Sequence, residues 1–370
     1  MSIHILIPDG SSSWALHVVN CLSKFKDYKL YVLSHKKNTP LKYSRHTFSF
    51  STYDFTDEIY WVNTINNFIE EHQINVILPI AEPEMIRILK FRSQLNDSVR
   101  VIPLPTLQSY ETAIDKRNLS KFLSQKAIPH PVSYEFKNLT DFQRLKQSLK
   151  FPILLKPTNQ KGGNGILRFN NLTNLETYFE SNNEFANVFL QNYIHGFDID
   201  CSVLCEHGEI LAHTIQKGFI QGKNPYGPQT GLEFVKNNEL FKVVHKLMMK
   251  LNWSGIAHID LRFDENENNY KVIEVNARFW DSLEASKSVG VNFPELAIKM
   301  ALGESIHLIP YKSEKFMRFT GLLKYLRKHP AFIFRFGFIW NQTELKSVLS
   351  NPFPKLYLFI LWAQSKLKIL

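Results

Sequence analysis

Two stretches, residues 255–264 and 270–279, constrain the fold of this chain more than any other part of it. In the first, Ala257, Ile259, Leu261 and Phe263 alternate with His258, Asp260, Arg262 and Asp264; in the second, Ile273, Val275 and Ala277 alternate with Glu274, Asn276 and Arg278. Alternation with period two marks a strand with one buried and one polar face. The spacer Glu265-Asn266-Glu267-Asn268-Asn269 is turn-forming, so the two runs predict a β-hairpin. A hairpin symmetric about Glu267 sets Asp260 directly opposite Glu274.

Like charges opposed in that way, with Cβ atoms roughly 5 Å apart, destabilise a sheet. A divalent cation between them reverses the sign, and Mg²⁺ is the hard, oxygen-seeking ion that shares carboxylates with substrate phosphates. Asn276 adds a neutral oxygen on the same face, and Arg278 a planar cationic fork suited to phosphate or a developing oxyanion. The solvated outer face of an ordinary hairpin has the same alternation, and a one-residue shift of the turn parts the two acids.

A second signal lies upstream, where Lys156-Pro157 ends an apolar run and Lys161-Gly162-Gly163-Asn164-Gly165 leads into another. A lysine at a strand end followed by a glycine turn gathers backbone N–H groups and an ammonium around a phosphate. This is no Walker loop, because the glycines close a hairpin and no Gly-Lys-Ser/Thr opens a helix. A plain hairpin turn has the same glycines. Third, the segment 191–198 joins two strands through Gly196, and Asp198 is placed either to accept from vicinal hydroxyls or to serve as a turn acid.

Residues 3–110 alternate short apolar runs, at 3–7, 29–33, 76–79 and 101–103, with helical patterns at 14–25, 60–71 and 85–91. That rhythm predicts a small parallel sheet whose strand ends carry ligands, which makes the loop 9–13 and Glu82 candidate substrate contacts; helix capping is the alternative. One helix is expected from Glu111 to Gln125, and Met1 to Ile7 reads as a buried strand rather than a leader. Residues 151–305 read as α+β.

The length of 370 residues calls for more than one domain, and 44% apolar with 21% charged residues is the make-up of a globular chain. The net charge of +10 is not spread over the body. Residues 311–370 hold eleven Lys or Arg against Glu314 and Glu344, so the first 310 residues are almost neutral and a nucleic-acid-binding face there is excluded. The same tail holds thirteen aromatics, and its apolar runs fall short of the ~20 residues of a membrane span. It is expected as a helical extension packed on the body or on a second subunit, with peripheral membrane contact the other reading. Three cysteines without metal spacing indicate neither a disulfide framework nor zinc, and point to a reducing cytoplasm.

Taken in order, Asp115-Lys116, Lys156-Pro157, the 161–165 glycine turn, Gln191 to Asp198, Asp260 and Glu274-Val-Asn-Ala-Arg278 resemble the ATP-grasp superfamily, most of all its carboxylate-amine ligases and carbamoyl-phosphate-synthase-like members. Two positions depart from the pattern: Gln191 stands where Glu is common, and Ala277 where Pro is common. The resemblance implies a Rossmann-like N-terminal domain over 1–110 and an ATP-grasp domain over 111–305, followed by a basic aromatic extension over 306–370. Within the ATP-grasp domain a central lid covers about 130–190, and ATP lies between that lid and a β-rich part.

By matching position, Lys116 and Lys156 contact phosphates under Gly162, Gly163 and Gly165; Gln191, Asn192, Tyr193 and Ile194 contact adenine, and Asp198 the ribose. Asp260, Glu274 and Asn276 then hold Mg²⁺ or Mn²⁺, with Arg278 and Lys156 as catalytic groups. The implied activity is cytoplasmic: a small carboxylate is activated as an acyl phosphate and attacked by an amine, releasing ADP and phosphate. A phosphotransferase and a non-catalytic nucleotide binder are the alternatives. Residues 217–231, with four glycines and two prolines, are expected as a mobile or a static loop over the acceptor.

Overall fold

The computed structural model describes residues 2–158, 162–182, 185, 187–222 and 226–367. Its first sheet arises from the aliphatic runs at the start of the chain: β1 (Ile3–Ile7), β2 (Tyr28–Ser34), β3 (Ser49–Thr52), β4 (Val76–Ile77) and β5 (Arg100–Val101). All its pairings are parallel, in the order β3-β2-β1-β4-β5. The order reverses between β1 and β4, so the loops after these strands diverge and leave a crevice at their C-terminal ends. β3 (sequence SFST) has no apolar run to announce it.

The second sheet has four antiparallel-paired strands, β6 (Ser133–Tyr134), β7 (Ile153–Pro157), β8 (Leu167–Phe169) and β9 (Val188–Asn192), in the order β6-β9-β7-β8. It has its own small core, centred on Phe136, Phe142, Ile153, Leu155, Phe179 and Leu190.

The third and largest sheet contains β10 (Gly196–Glu206), β11 (Glu209–Ile220), β12 (Gly231–Phe234), β13 (Gly255–Asp264), β14 (Asn269–Asn276) and β15 (Lys315–Met317), in the order β14-β13-β10-β11-β12-β15. The helix Asn238–Leu251 covers it. Asn237 caps that helix by accepting from the Leu240 N–H, and Leu240, Val244, Leu247, Met248 and Leu251 form the buried stripe. Each such side chain contributes about 1.5–3 kcal/mol by leaving water. Apolar residues of the first and third sheets and of the helices packed on them, from Ile5 and Val18 to Ile199, Leu247 and Phe293, share one continuous core.

Two local expectations are corrected. The helix expected over 111–125 is two helices, Leu107–Ile114 and Lys116–Gln125, because Asp115 adopts an extended conformation and caps the second by accepting from the Arg117 and Asn118 N–H groups. Lys116 thereby becomes a first-turn residue. The tail is not wholly helical: β15 pairs with β12, Phe316 joins the main core, and helices follow.

Candidate functional site

The hairpin β13–β14 sets the acids as expected, by a different route. Asp260 is the cross-strand partner of Glu274, and His258 of Asn276. Toward the turn, however, Asp264 pairs with Asn269 and Leu261 with Val272, so the turn centre lies half a residue before Glu267. A bulge after Asp260 absorbs the offset. Its cost falls on Ile273, which was expected in the core. Val272 is buried in its place and Ile273 borders a cavity.

That cavity, about 920 Å³, opens between the second and third sheets, with the loop after β1 at its edge. Lys116, Lys156, Gly162, Gly163, Gln191, Asn192, Tyr193, Ile194, Asp198, Asp260, Glu274, Asn276 and Arg278 all border it. Gly165 does not; it sits at φ +71° where an added Cβ meets Pro157 Cγ at 2.9 Å, so it shapes the turn rather than the wall. Lys161 lies outside the described residues. Gly163, at φ +73°, closely approaches the Tyr226 carbonyl, 2.3 Å from where its Cβ would be, so the glycine turn abuts the segment 217–231. That segment comprises the end of β11, the start of β12 and a connection whose residues 223–225 lie outside the described residues.

Polar contacts divide the cavity into two halves. In one, Lys156 Nζ donates to Gln191 Oε1 at 2.6 Å, and Gln191 Nε2 donates to Ser133 Oγ at 3.0 Å. Burial lowers the Lys156 pKa to about 8, against the pull of Glu274 and with the help of Lys116. Arg262 ion-pairs with Asp198 and donates to the carbonyls of Ile194 (2.7 Å) and Gly196 (2.6 Å). It fixes the strand connection that carries the proposed adenine and ribose contacts.

In the other half, Asn276 Nδ2 donates to Asp260 Oδ2 (3.3 Å) and Glu274 Oε1 (3.2 Å), while its Oδ1 accepts from Arg278 (2.7 Å). The Arg278 guanidinium lies 3.7 Å from the Trp14 ring centre, and its Nε 3.4 Å from Glu82 Oε1. Burial, then the charges of Glu274 and Asp200, hold the Asp260 carboxyl well above the usual carboxylate range. Glu274 is also disfavoured by burial, but hydrogen bonding with Asp260 and the charges of Lys116 and Lys156 outweigh this and lower its pKa. Burial and mutual charge thus oppose two ionised carboxylates side by side here, a cost that a cation between them would relieve.

Sequence reasoning missed two neighbours. Asp200 on β10 is the cross-strand partner of Asp260 on its other side, and burial followed by the Asp198 charge raises its pKa to about 7. His258 Nε2 lies 3.3 Å from Asp260 Oδ1 and 4.0 Å from Asp200 Oδ2, its Nδ1 meets Ser202 Oγ at 2.9 Å, and its ring stacks on Trp280. Burial, then Arg278, lowers its pKa to about 3, so the imidazole is neutral. Asp200, His258 and Asp260 offer ligand atoms within 4.8 Å of one another. Three carboxylates, an amide and a neutral imidazole make an oxygen-rich donor set that fits Mg²⁺ or Mn²⁺.

Of the N-terminal candidates, Asp9 is structural: it is buried and accepts from the Ile80 and Ala81 N–H groups. Ser13 and Trp14 border the cavity, and Glu82 reaches it through Arg278.

The family model of the ATP-grasp domain matches residues 113–282. A carbamoyl-phosphate synthase of Methanobrevibacter smithii is 26% identical over 215 residues, 55% of this chain; the match spans 57% of that relative, little more than half its length. Among solved structures, N5-carboxyaminoimidazole synthetase from Staphylococcus aureus, complexed with ADP, superposes with a TM-score of 0.69 at 17% identity, over 89% of this chain and 86% of that one. The biotin carboxylase domain of Hydrogenobacter thermophilus 2-oxoglutarate carboxylase, in complex with MgADP and bicarbonate, gives 0.65 at 16% identity over 84% and 73%.

Proposed function

We propose, from the premise that residues 113–282 of this chain are an ATP-grasp domain, that it is an ATP-dependent carboxylate-amine ligase. The observation that carries this reading is the opposition of Asp260 and Glu274 on paired strands, at the wall of the cavity that Lys116 and Lys156 also border. A binding module gains nothing from two mutually repelling, half-buried acids. A nucleotide-dependent catalyst does.

In this reading Lys116 and Lys156 bind the nucleotide's phosphates, with the N–H groups of Gly162 and Gly163 closing over them. Gln191 to Ile194 hold the base, and Asp198, oriented by Arg262, meets the ribose. Asp260, Glu274 and Asn276 would hold Mg²⁺ or Mn²⁺, which neutralises phosphate oxygens and polarises the transferred group. As it stands, Asn276 turns its amide nitrogen to the acids and its oxygen to Arg278. Turning that amide over to offer its oxygen withdraws the acceptor from Arg278, which leaves the guanidinium to bind the group being transferred.

The substrate carboxylate then attacks the γ-phosphorus, the bond to the β,γ-bridging oxygen breaks, and ADP leaves with an acyl phosphate behind. The amine attacks the acyl carbon, loses a proton and expels phosphate. The chain's own contribution is alignment and charge neutralisation by Lys116, Lys156 and Arg278.

A screen of acid and amine panels for ADP and phosphate release tests this. A ligase releases phosphate only when acid and amine are both present, and Asp260→Asn or Glu274→Gln lowers turnover by about a hundredfold or more. Multiple-turnover ADP formation with an acid alone, with the phosphoryl group recovered on the acid and no free phosphate, would identify a phosphotransferase. Absence of ADP across the panels would reject the catalytic reading.

A further inference from the structure

The apolar surface of the C-terminal segment takes no part in the cavity. In the helix Pro352–Leu367, five consecutive residues, Leu358, Phe359, Ile360, Leu361 and Trp362, are all exposed, Phe359 by 60% and Trp362 by 56%. Consecutive residues in a helix point in different directions, so this helix is apolar around most of its circumference. Among the described residues, its contacts with the rest of the chain lie in its first half. Asn351, just before it, is buried and donates to Ser44 Oγ at 2.9 Å, and Tyr357 stacks on Tyr43 at 4.7 Å. A second exposed apolar group, Ile333, Phe334 (74%), Phe336 (70%) and Trp340, follows the helix Phe319–Lys328.

The charges around these groups decide what covers them. Exposed Lys312, Lys315, Arg327, Lys328, Arg335 and Lys346 belong to the same segment. Its two acids are engaged internally: Glu344 is buried against Arg318 (3.3 Å), and Glu314 accepts from Gln342 (2.7 Å). A second copy facing this segment through the same surface brings like charge against like. A peptide groove covers one side of a helix, not most of it. An anionic bilayer supplies both an apolar surround and the opposite charge. Sixteen residues rise about 24 Å, short of the ~30 Å hydrocarbon thickness, and no described helix is long and apolar enough to cross a membrane.

We propose that residues 327–367 are a peripheral-membrane contact: the exposed aliphatic and aromatic side chains of the helix Pro352–Leu367 sink into the acyl zone of one leaflet of an anionic bilayer, which surrounds them, and the lysines and arginines meet lipid phosphates at the headgroup boundary. The contact is independent of the reaction in the cavity and stands or falls separately from it.

Flotation of the full chain with vesicles of phosphatidylcholine and phosphatidylglycerol, compared with phosphatidylcholine alone, tests it. Binding is expected only to the anionic vesicles and is expected to weaken roughly tenfold or more in high salt. Phe359→Ser with Trp362→Ser, and separately Arg327→Gln with Lys328→Gln and Arg335→Gln, should each weaken binding while the thermal melt is retained. If a variant fails to fold, tryptophan quenching of the unaltered chain by brominated lipids reads the same insertion. No binding to anionic vesicles overturns the proposal. So does a lipid-free dimer that Phe359→Ser with Trp362→Ser converts to monomer, because a second copy then covers this face.

Discussion

Among individual residues, Lys156 carries the most distinctive electrostatic signature of the proposed site. Burial lowers its pKa from 10.5 to about 8, because a charged amine there has lost its water. It is an ammonium below that value and an uncharged amine above it. Nucleotide affinity should therefore be level below pH 8 and fall as pH rises beyond it, whereas Lys156→Arg, whose guanidinium stays protonated, should keep affinity level across the range. Calorimetric titration with ADP at a series of pH values distinguishes the two; a parallel decline in both would remove Lys156 from phosphate binding. The stability effect has its own sign. The folded chain holds this proton less tightly than the unfolded one, so unfolding free energy gains from this group as pH rises between about 8 and 10.5.

At the same scale, the facing of Asp260 and Glu274 was legible because period-two alternation and a short turn are local facts. Asp200 was not legible as their neighbour. It meets Asp260 through the pairing of β10 with β13, strands some sixty residues apart, and nothing in the sequence prints that register. His258 was visible on the polar face, but its role depends on Ser202 and Trp280, which no local pattern brings to it.

Among the elements, the hairpin shows how a right answer can rest on two offsetting irregularities. The turn is shorter than assumed, and the bulge before Glu274 restores the register. Bulges have no dependable sequence mark, and neither do polar strands such as β3 or short edge strands such as β15. The single helix read over 111–125 divides because Asp115 is a better cap than a helix interior residue.

The glycine turn makes a sharper test of an element's function. Gly162 and Gly163 share the left-handed region, so alanine costs each about 1–2 kcal/mol of backbone strain. A Cβ on Gly163 would also meet a backbone atom, Tyr226 O at 2.3 Å, whereas no described atom lies within 4 Å of a Cβ on Gly162. Gly163→Ala should therefore weaken ADP binding by about tenfold more than Gly162→Ala. Equal effects would mean that the approach to Tyr226 does not matter to the bound state.

In the whole molecule, the cavity borders the second and third sheets and the loop after β1, and each contributes a different part of the chemistry. The helix at Lys116 and the second sheet carry the cations, the third sheet the acids, and the crevice of the first sheet brings Trp14 and Glu82 to Arg278. The order of motifs along the sequence revealed this class of fold, whereas the meeting of the sheets depends on long-range packing through the shared core.

The most direct measurement is electron paramagnetic resonance of Mn²⁺ titrated into the protein with ADP. A protein-bound Mn²⁺–nucleotide signal is expected in the unaltered chain and is expected to be lost in the Asp260→Asn, Glu274→Gln double variant, with the fold retained by circular dichroism. A double variant that binds Mn²⁺ and ADP as tightly as the unaltered chain would contradict the assignment of these two acids to the metal.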